Sequence, residues 1–237
     1  MTRRRWIADE VVGNRAALTG PHAEHLAVVL RAQPDQRFDV VAGGVLRAAR
    51  VTSVTPARVE FELQEELPAP VLPEITLLLG VFKFDRMEWA IEKCVELGVE
   101  RVVPAITRRT GVHLARAAVT RVERWRRLAM QACEQARRAR SAAVDAPVKL
   151  ERALQTEAAT RIVLAETEQV VSLRDALKAH PSGGSLALMI GPEGGWSEDE
   201  MSLCAEAGWV PASLGQTILR AETAAIAATA IAFSELG

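Results

Sequence analysis

The chain has 237 residues, about half of them hydrophobic and a quarter charged, with few aromatics and no tyrosine. This leaves room for roughly two domains of ~100–150 residues and excludes a disordered chain, a collagen-like repeat and a disulfide miniprotein; the core must be aliphatic. The net charge of −1 hides a +9 segment at 101–152 and −10 over 71–100 with 153–237. Such a basic segment can attract phosphates, although 25 arginines against 4 lysines also fit a solvated, Arg-rich helix face.

Residues 1–66 read mainly as short strands with turns. Residues 38–42 and 45–51 flank Gly43-Gly44, a hairpin signal, and 59–63 alternate apolar and charged residues as a half-buried strand does. Residues 22–30 are the one helical candidate here, with Leu26, Val29 and Leu30 on one face. This pattern predicts a small β-barrel. Three prolines within 67–73 cannot continue a helix or a central strand, and mark a linker.

Beyond the linker the pattern changes. Residues 75–82 (ITLLLGVF) form a near-continuous apolar run, as in a strand buried on both faces. Residues 101–106, 161–165 and 186–190 read the same way. Helices are predicted at 86–97, closed by Gly98, and at 118–138, 197–207 and 221–236. The first turns Met87, Ile91, Cys94 and Val95 inward; the second turns Trp125, Leu128, Ala129 and Ala132 inward. Strand and helix in alternation predict an α/β domain with a mainly parallel sheet, so the chain is read as two domains, 1–70 and 71–237.

Cys94, Cys133 and Cys204 are isolated, with no zinc or disulfide spacing, which suits a reducing, cytoplasmic home without metal. The N-terminal MTRRRWIADEVV lacks the apolar run of a signal peptide. The longest apolar stretch, 224–233, is short of the ~20 residues of a membrane span.

Two segments carry chemistry. In IGPEGGWSEDE (190–200) a buried strand ends in a glycine-rich loop, and Ser197 with Glu200 has capping-box spacing. Glycines let backbone approach a ligand, and strand C-terminal ends are where α/β sheets bind ligands. The loop lacks the Lys-Ser/Thr of a phosphate loop, and Glu193 opposes phosphate; a tight turn without ligand is the plain alternative. In LGQTILRAETAA (214–225) a loop enters an Ala-rich helix that another backbone can approach closely. Glu222 near that helix N-terminus is favoured by the macrodipole and Arg220 is not, which points to another use for Arg220, unless the two form a surface pair.

Together these segments resemble the RsmE family of 16S rRNA (uracil-N3) methyltransferases. Weaker collinear matches are HLAVVLR (25–31), Lys83 with Arg86-Met87-Glu88, ELGV (96–99), Pro104, Arg109, and Cys133-Glu134-Gln135 with Arg138. The resemblance implies a PUA-like RNA-binding β-barrel at 1–70 and a SPOUT α/β domain with a deep trefoil knot at 71–237. It implies S-adenosyl-L-methionine as cofactor, a homodimer, and 16S rRNA or the small ribosomal subunit as partner. Three positions depart from the family pattern: Thr217 where a basic residue is usual, Ala221 where Thr is usual, and Ser141-Ala142-Ala143 where a proline is common.

The implied reaction methylates N3 of one uridine near the 3′ end of 16S rRNA. The catalytic candidates are Arg220, stabilising the charge left on the base, and Glu222, either orienting Arg220 or accepting the proton. The cofactor candidates are Leu164, Ala165, Glu166, Ile190, Gly191, Glu193, Gly194, Gly195, Leu214, Gly215, Ile218 and Leu219. The RNA candidates are Arg3, Arg4, Arg5, His25, Arg31, Lys83, Arg108, Arg109 and Arg138. Two other readings remain, a non-catalytic RNA-binding protein and a nucleotide-binding enzyme; cofactor binding separates all three.

Overall fold

The computed structural model describes residues 5–68, 72–136, 138 and 140–237, which divide into two units: 5–68 with Arg138 and Arg140, and 72–136 with 141–237. In the first unit, strands β1 (Arg5–Ile7), β2 (Glu10–Val12), β3 (Arg15–Thr19), β4 (Arg37–Ala42), β5 (Val45–Val54) and β6 (Arg58–Glu66) form one sheet, in the order β1-β4-β5-β6-β3-β2. The Ala8 N–H bonds to the Val41 carbonyl and the Asp9 N–H to the Ala17 carbonyl. A single stretch of chain therefore pairs first with β4 and then with β3, and the sheet curls over Leu18, Val40, Val51, Val59 and Phe61. Gly43 and Gly44, between β4 and β5, have φ of +59° and +82°, the hairpin conformation that matches strand twist.

Residues 22–30 are not one α-helix. A short α1 (Gly20–Glu24) runs into a π turn over His25–Val29, closed by the Leu30 N–H on the His25 carbonyl. The wider turn breaks the 3.6-residue period, so Leu26 is buried while Val29 faces solvent.

In the second unit the apolar runs become a parallel sheet. Its strands are β7 (Ile75–Gly80), β8 (Arg101–Ile106), β9 (Ala143–Val144), β10 (Val148–Lys149), β11 (Thr160–Leu164), β12 (Leu186–Ile190) and β13 (Val210–Ala212). The order is β10-β8-β7-β12-β11-β13, with β9 also on β8. Both faces are covered, which is why the runs show no alternation. Leu77 and Leu79 face the core made by α2 (Phe84–Leu97), α3 (Val112–Gln135), α5 (Leu173–Leu177) and α7 (Ala221–Leu236). Leu78 faces the other core, with α4 (Leu150–Ala153), Cys204 of α6 (Glu198–Glu206) and Trp209.

Helix α3 starts six residues earlier than the periodicity predicts and ends three earlier. Its first turn buries no residue, so no apolar period announces it. The elements β9, β10, β13, α4 and α5 have two to five residues, too few to show a period. Helix α7 packs on α2, α5 and β12. There the Thr229 hydroxyl donates to the Cys94 Sγ at 3.4 Å, and burial pushes the Cys94 thiol up to about 12. Among the described residues, no helix is long and apolar enough to cross a membrane.

Candidate active site

At the C-terminal ends of β11, β12 and β13, three loops line a cleft of about 880 Å³. The glycine-rich loop after β12 is held from four sides. A Cβ on Gly80 would stand 2.6 Å from the Pro192 nitrogen, so only glycine lets β7 lie this close to the loop. The Trp196 indole donates to the Leu164 carbonyl at 2.8 Å and packs on Gly191, tying the loop to the end of β11. The Arg109 guanidinium donates to the Gly194 carbonyl. Ser197 and Glu200 form the predicted capping box, and Glu200 also accepts the Arg108 N–H at 2.7 Å. Gly195, with φ of +69°, makes the turn between them.

The loop after β11 is ordered by Glu168. Its carboxylate accepts the Val171 and Val170 N–H groups at 2.9 and 2.7 Å, which holds it below the usual carboxylate range. The loop before α7 is different. Among the described residues, nothing in Gly215–Leu219 forms a hydrogen bond to protein, so those backbone groups are open to a ligand. Gly215 has φ of +115° there.

All twelve residues expected at the cofactor line this one cleft, although they come from segments up to 55 residues apart in sequence. Arg220 lines it too. It caps α7, its side chain is exposed, and among the described residues it has no ion pair. Glu222, two residues further along α7, is not among the residues that line the cleft and is 4% exposed. It does not orient Arg220: its Oε1 is 3.7 Å from the Arg86 Nε, and its buried Oε2 has no partner. Glu193 also meets Arg86, at 2.9 Å, so its charge no longer argues against an anion as it does in isolation.

The RNA candidates are not gathered in this way. Arg3 and Arg4 lie outside the described residues. Arg5, His25, Arg31 and Arg138 belong to the first unit; Lys83, Arg108 and Arg109 belong to the second. His25 is exposed beside Trp6, with ring centroids 5.9 Å apart. Arg31 is exposed with φ of +53°. Arg138 is 8% exposed, because residues 138 and 140 fold in with the first unit rather than extending α3 as an exposed basic face. Lys83 is exposed just before α2. Arg108 and Arg109 point their guanidinium groups at Asp199 and at the glycine loop.

Arg86 also lines the cleft, from outside the segments expected there. For Arg86 a signal existed: a cation in the first turn of a helix opposes the macrodipole, as Arg220 does.

Residues 69–233 match the RNA methyltransferase domain family. A ribosomal RNA small subunit methyltransferase E from Synechocystis sp. is 32% identical over 231 residues, 94% of this chain and 74% of that protein. The protein of the same description from Mycobacterium bovis is 33% identical over 228 residues, 91% and 85% of the two chains. The crystal structure of a ribosomal RNA small subunit methyltransferase E from Neisseria gonorrhoeae, bound to S-adenosyl methionine, has a TM-score of 0.74 and 30% identity, covering 95% of this chain and 94% of that one. With both hallmark segments on one cleft and similarity running along nearly the whole length, the chain belongs to the ribosomal RNA small subunit methyltransferase E family of RNA methyltransferases.

Proposed function

We propose that the protein transfers a methyl group from S-adenosylmethionine to N3 of one uridine near the 3′ end of 16S rRNA, in the decoding region. The substrate is the small ribosomal subunit, and the enzyme is a cytoplasmic homodimer. The observation that carries this reading is the convergence of 164–166, 190–195 and 214–219 on one cleft.

The residues present suit the cofactor. A cleft of about 880 Å³ is large enough for a nucleoside-sized ligand. Leu164, Ile190, Leu214 and Leu219 offer apolar walls for an adenine, and the open backbone of Gly215–Leu219 offers donors and acceptors for its edge. Glu166 and Glu198, carboxylates of the lining without an ion pair among the described residues, are compatible with a cation. When bound, the cofactor supplies a methyl group already activated by its positively charged sulfur.

The chain's own residues then act on the base. N3 of uracil carries a weakly acidic proton between two carbonyls. The unpaired Arg220 guanidinium stabilises the charge left on O2 and O4, and the partnerless Oε2 of Glu222 accepts the proton. The target uridine must be unpaired or flipped, because N3 is on the Watson–Crick edge.

The finer architecture belongs to the same proposal. The curled sheet of β1 to β6 belongs to a PUA-like barrel domain, 1–70, that holds RNA, and 71–237 is a SPOUT domain. The proposed knot involves the C-terminal part of the chain, which leaves β13 at the sheet edge and packs as α7 against α2 and β12. Arg3, Arg4, Arg5, His25, Arg31, Lys83, Arg108 and Arg109 are proposed RNA contacts; the burial of Arg138 argues for a structural role there.

The test is methyl transfer from labelled S-adenosylmethionine to small subunits lacking the modification, with the product mapped by mass spectrometry. One methyl on N3 of a single uridine is expected. Arg220→Ala should lower turnover roughly 10²–10³-fold while the cofactor still binds. Binding without transfer would overturn the substrate; no cofactor binding would favour the RNA-binding reading.

A further inference from the structure

Arg86 belongs to neither hallmark segment, yet it touches both. It sits in the first turn of α2, where the aligned N–H groups make a cation unfavourable, beside Asp85. From there its Nη1 reaches Glu193 Oε1 at 2.9 Å, in the glycine loop, 107 residues away. Its Nε faces Glu222 Oε1 at 3.7 Å, at the start of α7, across 136 residues. The Arg86 side chain is 30% exposed, Glu193 33% and Glu222 5%, so this cluster is set into the protein rather than laid on its surface.

We infer that Arg86 is a positioning residue of the cleft: one guanidinium holds the glycine loop through Glu193 and the α7 N-terminus through Glu222, so that the cofactor walls and the proton acceptor keep one geometry. This deepens the reading of the cleft as a methyl-transfer site and rests on it. The chemistry requires arginine. Its Nε and Nη1 are two donors on one rigid plane that can face two carboxylates at once, whereas a lysine ammonium is a single point on a flexible stem. Removing the guanidinium leaves Glu222 buried with neither oxygen compensated, and a buried carboxylate in that state moves or drags its neighbours with it. Both consequences fall on the cleft, because Arg86 and Glu193 line it and Glu222 follows two residues that do.

The experiment compares the wild-type protein with Arg86→Lys, Arg86→Gln, Glu193→Gln and the double variant Arg86→Gln/Glu193→Gln. S-adenosylmethionine affinity is measured by calorimetry, kcat and KM by methyl transfer to unmodified small subunits, and Tm by scanning calorimetry. Arg86→Gln should weaken cofactor binding about tenfold and lower kcat at least tenfold, with KM for the subunit little changed. Arg86→Lys should keep Tm and recover only part of kcat. The double variant should bind cofactor no worse than Arg86→Gln alone, because the two residues act along one path. A fall in Tm alone, with cofactor affinity and kcat intact, would overturn the inference, and so would full rescue by lysine. Failure of the parent reading looks different: the wild-type protein itself would neither bind the cofactor nor transfer a methyl group.

Discussion

Glu222 has an environment that stability alone does not explain. It is 4% exposed, its nearest cation is 3.7 Å away, and one of its oxygens has no partner. A buried carboxylate so poorly compensated costs folding energy, and its neutral isostere removes that desolvation cost without leaving Arg86 uncompensated, because Arg86 keeps Glu193 at 2.9 Å. Glu222→Gln therefore separates two roles. If the free oxygen accepts the substrate proton, the variant should lose roughly 10²–10⁴-fold in turnover while keeping its unfolding free energy within about 1 kcal/mol of wild type or above it. Denaturant titration and single-turnover methyl transfer on the same preparation give both numbers. Lost stability with unchanged turnover would make Glu222 a structural counter-charge to Arg86 and nothing more. The sequence could suggest that Glu222 suits a helix N-terminus, but not which cation it meets. Arg220 is its neighbour in the chain, whereas Arg86 is its neighbour in space, and only the packing of α2 beside α7 decides between them.

That packing sets the demands at the level of elements. Helix α2 ends at Gly98, which has φ of +133°, and the Phe233 ring of α7 lies where a side chain would begin, 2.6 Å from an ideal Cβ. Two costs therefore act together in Gly98→Ala, a strained backbone and a clash with a half-buried ring. The expected loss is about 2–3 kcal/mol of unfolding free energy. A change below about 0.5 kcal/mol would mean that the α2–α7 contact is looser than the structure describes. The C-cap itself was legible, because a glycine after an amphipathic run is a strong local signal. So were the bounds of β8, β12 and α7, where long apolar runs or capping residues mark both ends. The rest was lost for two physical reasons. Strands of two or three residues and helices of four or five carry no period, and the π turn at His25–Val29 has a period that no amphipathic pattern anticipates. Likewise the charge of Arg108 and Arg109 is visible in a sequence, whereas the Asp199 carboxylate and the loop carbonyl that receive them are not.

At the scale of the whole molecule the question is what the +9 segment does. Much of its charge is spent locally. Arg121 and Arg124 share Glu88 at 2.8 and 2.9 Å, Arg126 meets Glu123, Arg101 meets Asp145, and Arg121 also lies over the Phe84 ring. Arg116 and Arg127, both exposed on α3, have no ion pair or hydrogen bond among the described residues. If this segment contacts RNA, those two side chains, with exposed Lys149, are free among the described residues to meet phosphates without first breaking a bond within the protein. RNA affinity should then fall steeply with salt, by a slope of about 0.7–0.9 in log K per phosphate contact, and Arg116→Ala with Arg127→Ala should reduce that slope by about 2 contacts' worth. Cofactor affinity should be nearly indifferent to the same salt range, because the cleft offers apolar walls, backbone groups and ion pairs at separations well inside a Debye length. Measuring both affinities on one protein from low to moderate salt makes the comparison internal. An unchanged RNA slope in the double variant would assign the remaining affinity to other basic residues and leave the α3 arginines as a solvated face.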